Sequence, residues 1–173
     1  MKAFQYIYDL IQQTRMRFLL LSLLSLACLS TYSQESTFSR QDTLRGSITP
    51  ERAWWDVTYY HLEQNISIVD SSLTGVNTIQ YKVLESAEVM QIDLQPPMKI
   101  DKVTQGKKEL EVRHDGNAHL IHLVQKQKKG DVNEVKVYYS GKPQVSKNPP
   151  WEGGFSWRVD SLGSPFIATS CQG

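Results

Sequence analysis

The sequence predicts an all-β domain, an antiparallel β-sandwich or saddle of about seven or more strands, and three observations carry that prediction. Beyond residue 50 apolar and polar residues alternate in short runs. Turn-forming residues interrupt those runs about every ten positions. No stretch there has the 3.6-residue period of an amphipathic helix. The predicted domain spans 51–173, preceded by a signal-peptide helix within 1–33 and a disordered leader over 34–50.

Phe18 to Leu29 is a largely apolar run with Arg15 and Arg17 before it and Ser30, Thr31 and Ser33 after it. That order of basic, apolar and small residues is the pattern of a secretory signal peptide, and the run falls short of the ~20 residues of a membrane span. Export to the periplasm or beyond follows, with no membrane span. Met16 followed by Arg17 makes a more typical start than Met1. Cleavage after Ser33 suits the small-residue rule; a competing reading takes Cys28 as a lipidated first residue, although Leu26 stands one place too close to it. Gln34 to Pro50 is polar and has neither period, so it reads as a mobile leader, with order beginning near Trp54.

The elements follow in order. Val57, Tyr59 and His61 alternate with Thr58, Tyr60 and Leu62, and the pattern resumes at Ile66 and Ile68 before the turn Asp70-Ser71-Ser72. Leu73 to Leu84 pairs back as a long hairpin arm, the two strands forming one edge of a sheet. Val89 to Leu94 is a short strand ended by Pro96-Pro97, which lack the donors a ladder needs. Ile100 to Thr104, the Gly106-Lys107 turn and Leu110 to Val112 read as a second hairpin. Asp115-Gly116-Asn117 is the sharpest turn signal, leading into His119 to Val124. Gly130-Asp131 then turns into Val132 to Tyr139, which Ser140 to Pro143 ends.

Chemistry is harder to find. Lys plus Arg number 19 against 18 Asp plus Glu, so no strong field points to nucleic acid. His119 and His122 lie three apart in a strand and so face opposite ways; His114 and His119 can approach each other across the turn, but no third ligand accompanies them and no metal site is predicted. Asp93, Asp101, Glu109 and Glu111 are scattered singly, and Lys126, Lys128 and Lys129 read as a solvated turn. With Cys28 removed, Cys171 is left as a single thiol, structural rather than nucleophilic. There is no His-Glu-x-x-His, no G-x-S-x-G and no Cys-x-x-Cys.

The segment order nevertheless resembles a known family. Trp55-Asp56-Val57 through Tyr60-His61-Leu62, the arm from Leu73 to Tyr81, Ile92-Asp93-Leu94, Lys136 to Pro143, and the tail block Trp151-Glu152-Gly153-Gly154-Phe155-Ser156-Trp157 with Ala168 to Gly173 resemble the amino-terminal domain of zinc aminopeptidases of the aminopeptidase N family, bacterial members in particular. The resemblance implies an all-β saddle that packs on a catalytic domain, where zinc is bound and peptides lose their amino-terminal residues. This chain lacks that zinc motif, so the resemblance implies a non-catalytic domain, incomplete at its carboxy-terminal end, binding no cofactor itself and inactive alone. Its partners would be the catalytic domain and the amino terminus of a peptide substrate. Gln172, following Cys171, takes the position where family members place a Gln or Glu that anchors that amino terminus. Trp151, Phe155 and Trp157 read as cover for a core edge or domain interface. The alternative is a stand-alone secreted β-sandwich that serves as a binding or adhesion module.

Overall fold

Two long strands that pair along their whole length organise the molecule. The computed structural model describes residues 11–17 and 38–170. Residues 11–17 are helical and belong to a unit separate from the one that starts at Phe38. The apolar run Phe18 to Leu29, Cys28, the cleavage position after Ser33, Cys171 and Gln172 lie outside the described residues.

From Phe38 on, two short helices precede ten strands: α1 (Arg40–Gly46), α2 (Pro50–Ala53), β1 (Trp55–Ser67), β2 (Ser72–Val83), β3 (Val89–Asp93), β4 (Lys99–Gln105), β5 (Lys108–Glu109), β6 (Glu111–Asp115), β7 (Ala118–His122), β8 (Val132–Gly141), β9 (Gly154–Val159) and β10 (Pro165–Ser170). They form a five-stranded sheet in the order β1-β2-β8-β4-β5, a three-stranded sheet β3-β7-β6 and a two-stranded ribbon β10-β9, every neighbouring pair antiparallel. The all-β prediction holds, and β1 lies at a sheet edge as expected.

The core lies between the two larger sheets. Ile79, Tyr81 and Val83 of β2, Val135 and Val137 of β8 and Val103 of β4 meet Met90 of β3 and Ile121 of β7, with Trp54 and Leu110 at the ends. Register explains the sides: Met90, Ile121 and Val112 are mutual partners across the three-stranded sheet and so share its inner face. Trp54 and Trp55 both stand edge-on to Tyr81, at 5.8 and 5.9 Å between ring centroids. Beneath that aromatic cluster lies a buried amide network, in which the Gln127 Oε1 accepts from the Asn133 Nδ2 at 2.7 Å and the Tyr81 hydroxyl at 3.3 Å.

Four expectations need correction. The alternation Val57, Tyr59, His61 does not describe one face: Val57 pairs with Tyr81 but Tyr59 pairs with Gln80, so Thr58 is an extra residue. That bulge moves every later side chain to the other face, placing Tyr60 and Leu62 opposite Ile79 and Asn77. The second hairpin is also different. β4 turns at Gly106 (φ 59°) into the two-residue β5, and at Leu110 the chain crosses to the other sheet to begin β6.

The leader is not disordered over its described part. Ser39 and Asp42 make a reciprocal capping box that starts α1 despite its polar composition. The segment then straps the outer face of the three-stranded sheet: Thr49 donates to the Gln91 side chain at 2.7 Å, Gln91 donates to the Leu44 carbonyl at 3.2 Å, and Arg52 pairs with Asp93. Finally, β9 and β10 are strands within a stretch read only as aromatic cover.

Candidate functional site

The tail block that carries the family resemblance folds into the ribbon, and its local sequence shows why. Phe155, Trp157 and Val159 alternate with Ser156 and Arg158, and their partners across the ribbon are Thr169, Ile167 and Pro165. Asp160 closes the connection by accepting, through Oδ1, the backbone N–H groups of Leu162 and Ser164, both at 2.8 Å. Gly163, at φ 83°, completes the turn.

A two-stranded ribbon is marginal alone, so its attachment matters. Phe155 N–H donates to the Gln144 carbonyl at 2.7 Å, and Ser146 N–H donates to the Phe155 carbonyl at 2.9 Å, which forms a parallel bridge at Val145. The buried Ser146 hydroxyl donates to the Glu152 carbonyl at 2.8 Å. Gly154 permits this approach: its φ is 131°, and a Cβ built there would lie 2.6 Å from the Gln144 oxygen.

The ribbon is thus positioned but poorly covered. Phe155 and Trp157 stack at 5.8 Å with planes 20° apart, and the Trp157 Nε1 is buried with no acceptor. Phe166 and Val159 are exposed, and Trp151 retains 73% of its accessible surface. Trp151 therefore does not cover a core edge within this chain. Ser170, opposite Gly154, is the last described residue of this ribbon, two positions before Gln172.

Elsewhere the titratable groups are engaged in pairs or dispersed. His114 and His119 do meet, with their Nδ1 atoms 2.8 Å apart. His61 lies on the exposed edge strand 3.7 Å from Glu63. His122 sits on the face opposite His119, its Nε2 buried without a partner. Asp93 is held by Arg52 and Gln91, and Asp101 accepts from Ser140 at 2.9 Å. Among the described residues no group of three or more His, Cys, Asp or Glu is placed to hold a metal ion, so they do not fit the zinc that the resemblance implies. No helix among them is long and apolar enough to cross a membrane.

An open cleft of about 210 Å³ separates the sheets beside the core, walled by Leu62, Ile79, Ile92, Leu94, Ile100 and Val137. Nothing in the sequence announced it, since it depends on the bulge that turns Leu62 inward.

The fold matches part of an M1 zinc metallopeptidase from Deinococcus radiodurans. A mutant of that protein superposes with a TM-score of 0.51 at 17% identity, over 64% of this chain and 27% of that chain. The mutant bound to a Tyr-Ser-Ala substrate gives 0.50 at 16%, over 66% and 28%, and the protein itself gives 0.50 at 17%, over 63% and 27%. At such identity the likeness is one of fold. This chain spans little more than a quarter of the length of those neighbours. No protein-family model matches the sequence, and no curated protein does either.

Proposed function

We propose that the chain is the amino-terminal β domain of an exported zinc aminopeptidase, a domain that is not catalytic by itself. The observation that carries this reading is the fold shared with an M1 zinc metallopeptidase over 64% of this chain but only 27% of the neighbour. The resemblance of the tail block Trp151 to Trp157 with Ala168 to Gly173 agrees with it. In this reading the zinc and its ligands belong to a catalytic domain, and this domain packs against it through the exposed side of the β9-β10 ribbon.

Gln172 is then the anchor for the substrate. Its amide oxygen accepts a hydrogen bond from the peptide's terminal ammonium, which orients the first residue without supplying charge.

In an active polypeptide containing this domain, Gln172→Ala removes one hydrogen bond to a charged group. About 1.5–3 kcal/mol corresponds to a fall in kcat/KM on unblocked peptides of about 10- to 100-fold. Unchanged kinetics would reject the assignment. The exposure of Trp151 favours one alternative, a stand-alone binding module. That alternative requires the monomeric chain to bind a glycan or peptide and to lose it in Trp151→Ala.

A further inference from the structure

We propose that the β6-β7 hairpin is an acid-sensitive latch: His114 and His119 stay in contact while they share one proton between their Nδ1 atoms, and a second proton there releases the amino-terminal strap docked on the hairpin turn. The hydrogen-bond partners assign the tautomers. His119 Nε2 faces the Leu94 carbonyl at 3.3 Å and must carry a proton to bond it, which leaves its Nδ1 as a lone pair in the neutral ring. The His114 Nδ1 lies 2.8 Å from that lone pair, so its N–H is the donor. A proton added at the exposed His114 Nε2 leaves the shared proton in place, whereas one added on His119 Nδ1 sets two N–H groups against each other at hydrogen-bond distance, and the rings must separate.

The location gives this consequence beyond the pair. The exposed His114 and the buried His119 are register partners and bracket the turn at Gly116 and Asn117. The strap docks on that turn: Arg40 and Gln41 of α1 donate to the Asp115 carboxylate, and the Asn117 N–H donates to Gln41 at 3.4 Å. Asn117 also accepts from Leu94 N–H at 3.0 Å, joining the turn to the same segment that receives His119. Splaying the hairpin undoes these contacts together.

Neighbouring charges offer the imidazolium no compensation. On α1, Arg40 is taken up by Asp115 and Asp42 by Ser39; on β3, Asp93 is held by Arg52 and Gln91. Arg113 is on the opposite face of the hairpin, and on β4 of the facing sheet Lys99 and Asp101 lie 3.7 Å apart. No carboxylate among the described residues bonds either ring. Burial pushes the His119 pKa below its ordinary 6.5; the Leu94 carbonyl pulls it partly back, and His114 lowers it. A depressed folded value means that the stabilisation is complete above pH 6.5 and is lost as pH falls through the folded pKa.

Amide hydrogen exchange on the full chain, corrected for intrinsic rates, tests the latch at neutral and acid pH. Opening of α1 (residues 40–46) and of residues 111–122 should rise by up to about tenfold per pH unit below the unfolded His value, the slope of one linked proton. His61→Gln should behave like the unsubstituted protein, and His119→Gln should lose the response. An equal acid response in His119→Gln, or none in the unsubstituted protein, would overturn the proposal. Should His119→Gln fail to fold, side-chain nitrogen NMR of the unsubstituted protein decides. A proton on His119 Nε2 at neutral pH, titrating together with the strap's exchange, supports the latch; one on His119 Nδ1 contradicts it.

Discussion

Replacing Gln127 by Ala should cost this domain about 3 kcal/mol, far more than loss of a loop side chain ordinarily does. Gln127 follows the exposed run Val124 to Lys126 yet retains only 4% of its accessible surface. Its Oε1 accepts from Asn133 at 2.7 Å and Tyr81 at 3.3 Å, and its Nε2 donates to the Gln125 carbonyl at 2.6 Å. The substitution removes these three bonds, at about 1 kcal/mol each, together with a longer one from Gln105 Nε2 at 3.5 Å. The Gln125 carbonyl recovers water in its exposed stretch, whereas the half-buried Asn133 amide loses its partner and adds to the cost. Tyr81 keeps Gln105 as a donor at 3.2 Å, but its own O–H is left without an acceptor. Urea unfolding should show the midpoint falling by roughly 1–2 M at an unchanged slope. Tyr81→Phe removes one of the same bonds, so the double substitution should fall short of the summed costs by about 0.5–1 kcal/mol. A cost under about 1 kcal/mol for Gln127→Ala, or full additivity with Tyr81→Phe, would refute the network as a stabilising unit.

Two further outcomes follow from the same geometry. Gly154→Ala places a Cβ 2.6 Å from the Gln144 oxygen at φ 131°, so β9 amides should exchange faster while the Tyr81 core keeps its protection; equal exchange throughout would contradict the ribbon's separate attachment. Burial pushes the Tyr81 phenol up to about 12, partly offset by Gln105. A raised folded pKa gives stability that is complete below the unfolded value of 10 and is lost as pH rises towards 12. Ultraviolet titration of the folded protein should show a late-titrating component that is absent in Tyr81→Phe.

What could be read beforehand depended on how local the cause was. The long β1-β2 hairpin declares itself by period and by Asp70-Ser71-Ser72, and the approach of His114 to His119 follows from the Asp115-Gly116-Asn117 turn they flank. Leu110 looks like any strand residue. Only the competition between two sheets for the chain makes it the crossing point between β5 and β6. The bulge at Thr58 has no local signature either, since it arises from fitting β1 against β2 near the aromatic cluster. α1 was missed because its polar residues satisfy no amphipathic period, although Ser39 with Asp42 did encode its start. In the ribbon, neither the turn at Asp160 and Gly163 nor the alternation of its strands is among the predicted elements, because the aromatics point towards cover instead. Gln172 rests on the resemblance alone.

The central claim is that this fold is one domain of a zinc-dependent aminopeptidase. Its most direct test is to isolate, with an antibody to the β domain, the native polypeptide that carries this sequence, and to measure its mass and its release of amino-terminal residues from peptides with and without a chelator. The expected result is a polypeptide more than twice as long as 173 residues, since 64% of this chain matches 27% of its neighbour, with activity that the chelator removes and zinc restores. A folded, abundant species no heavier than 19.8 kDa without aminopeptidase activity would contradict it.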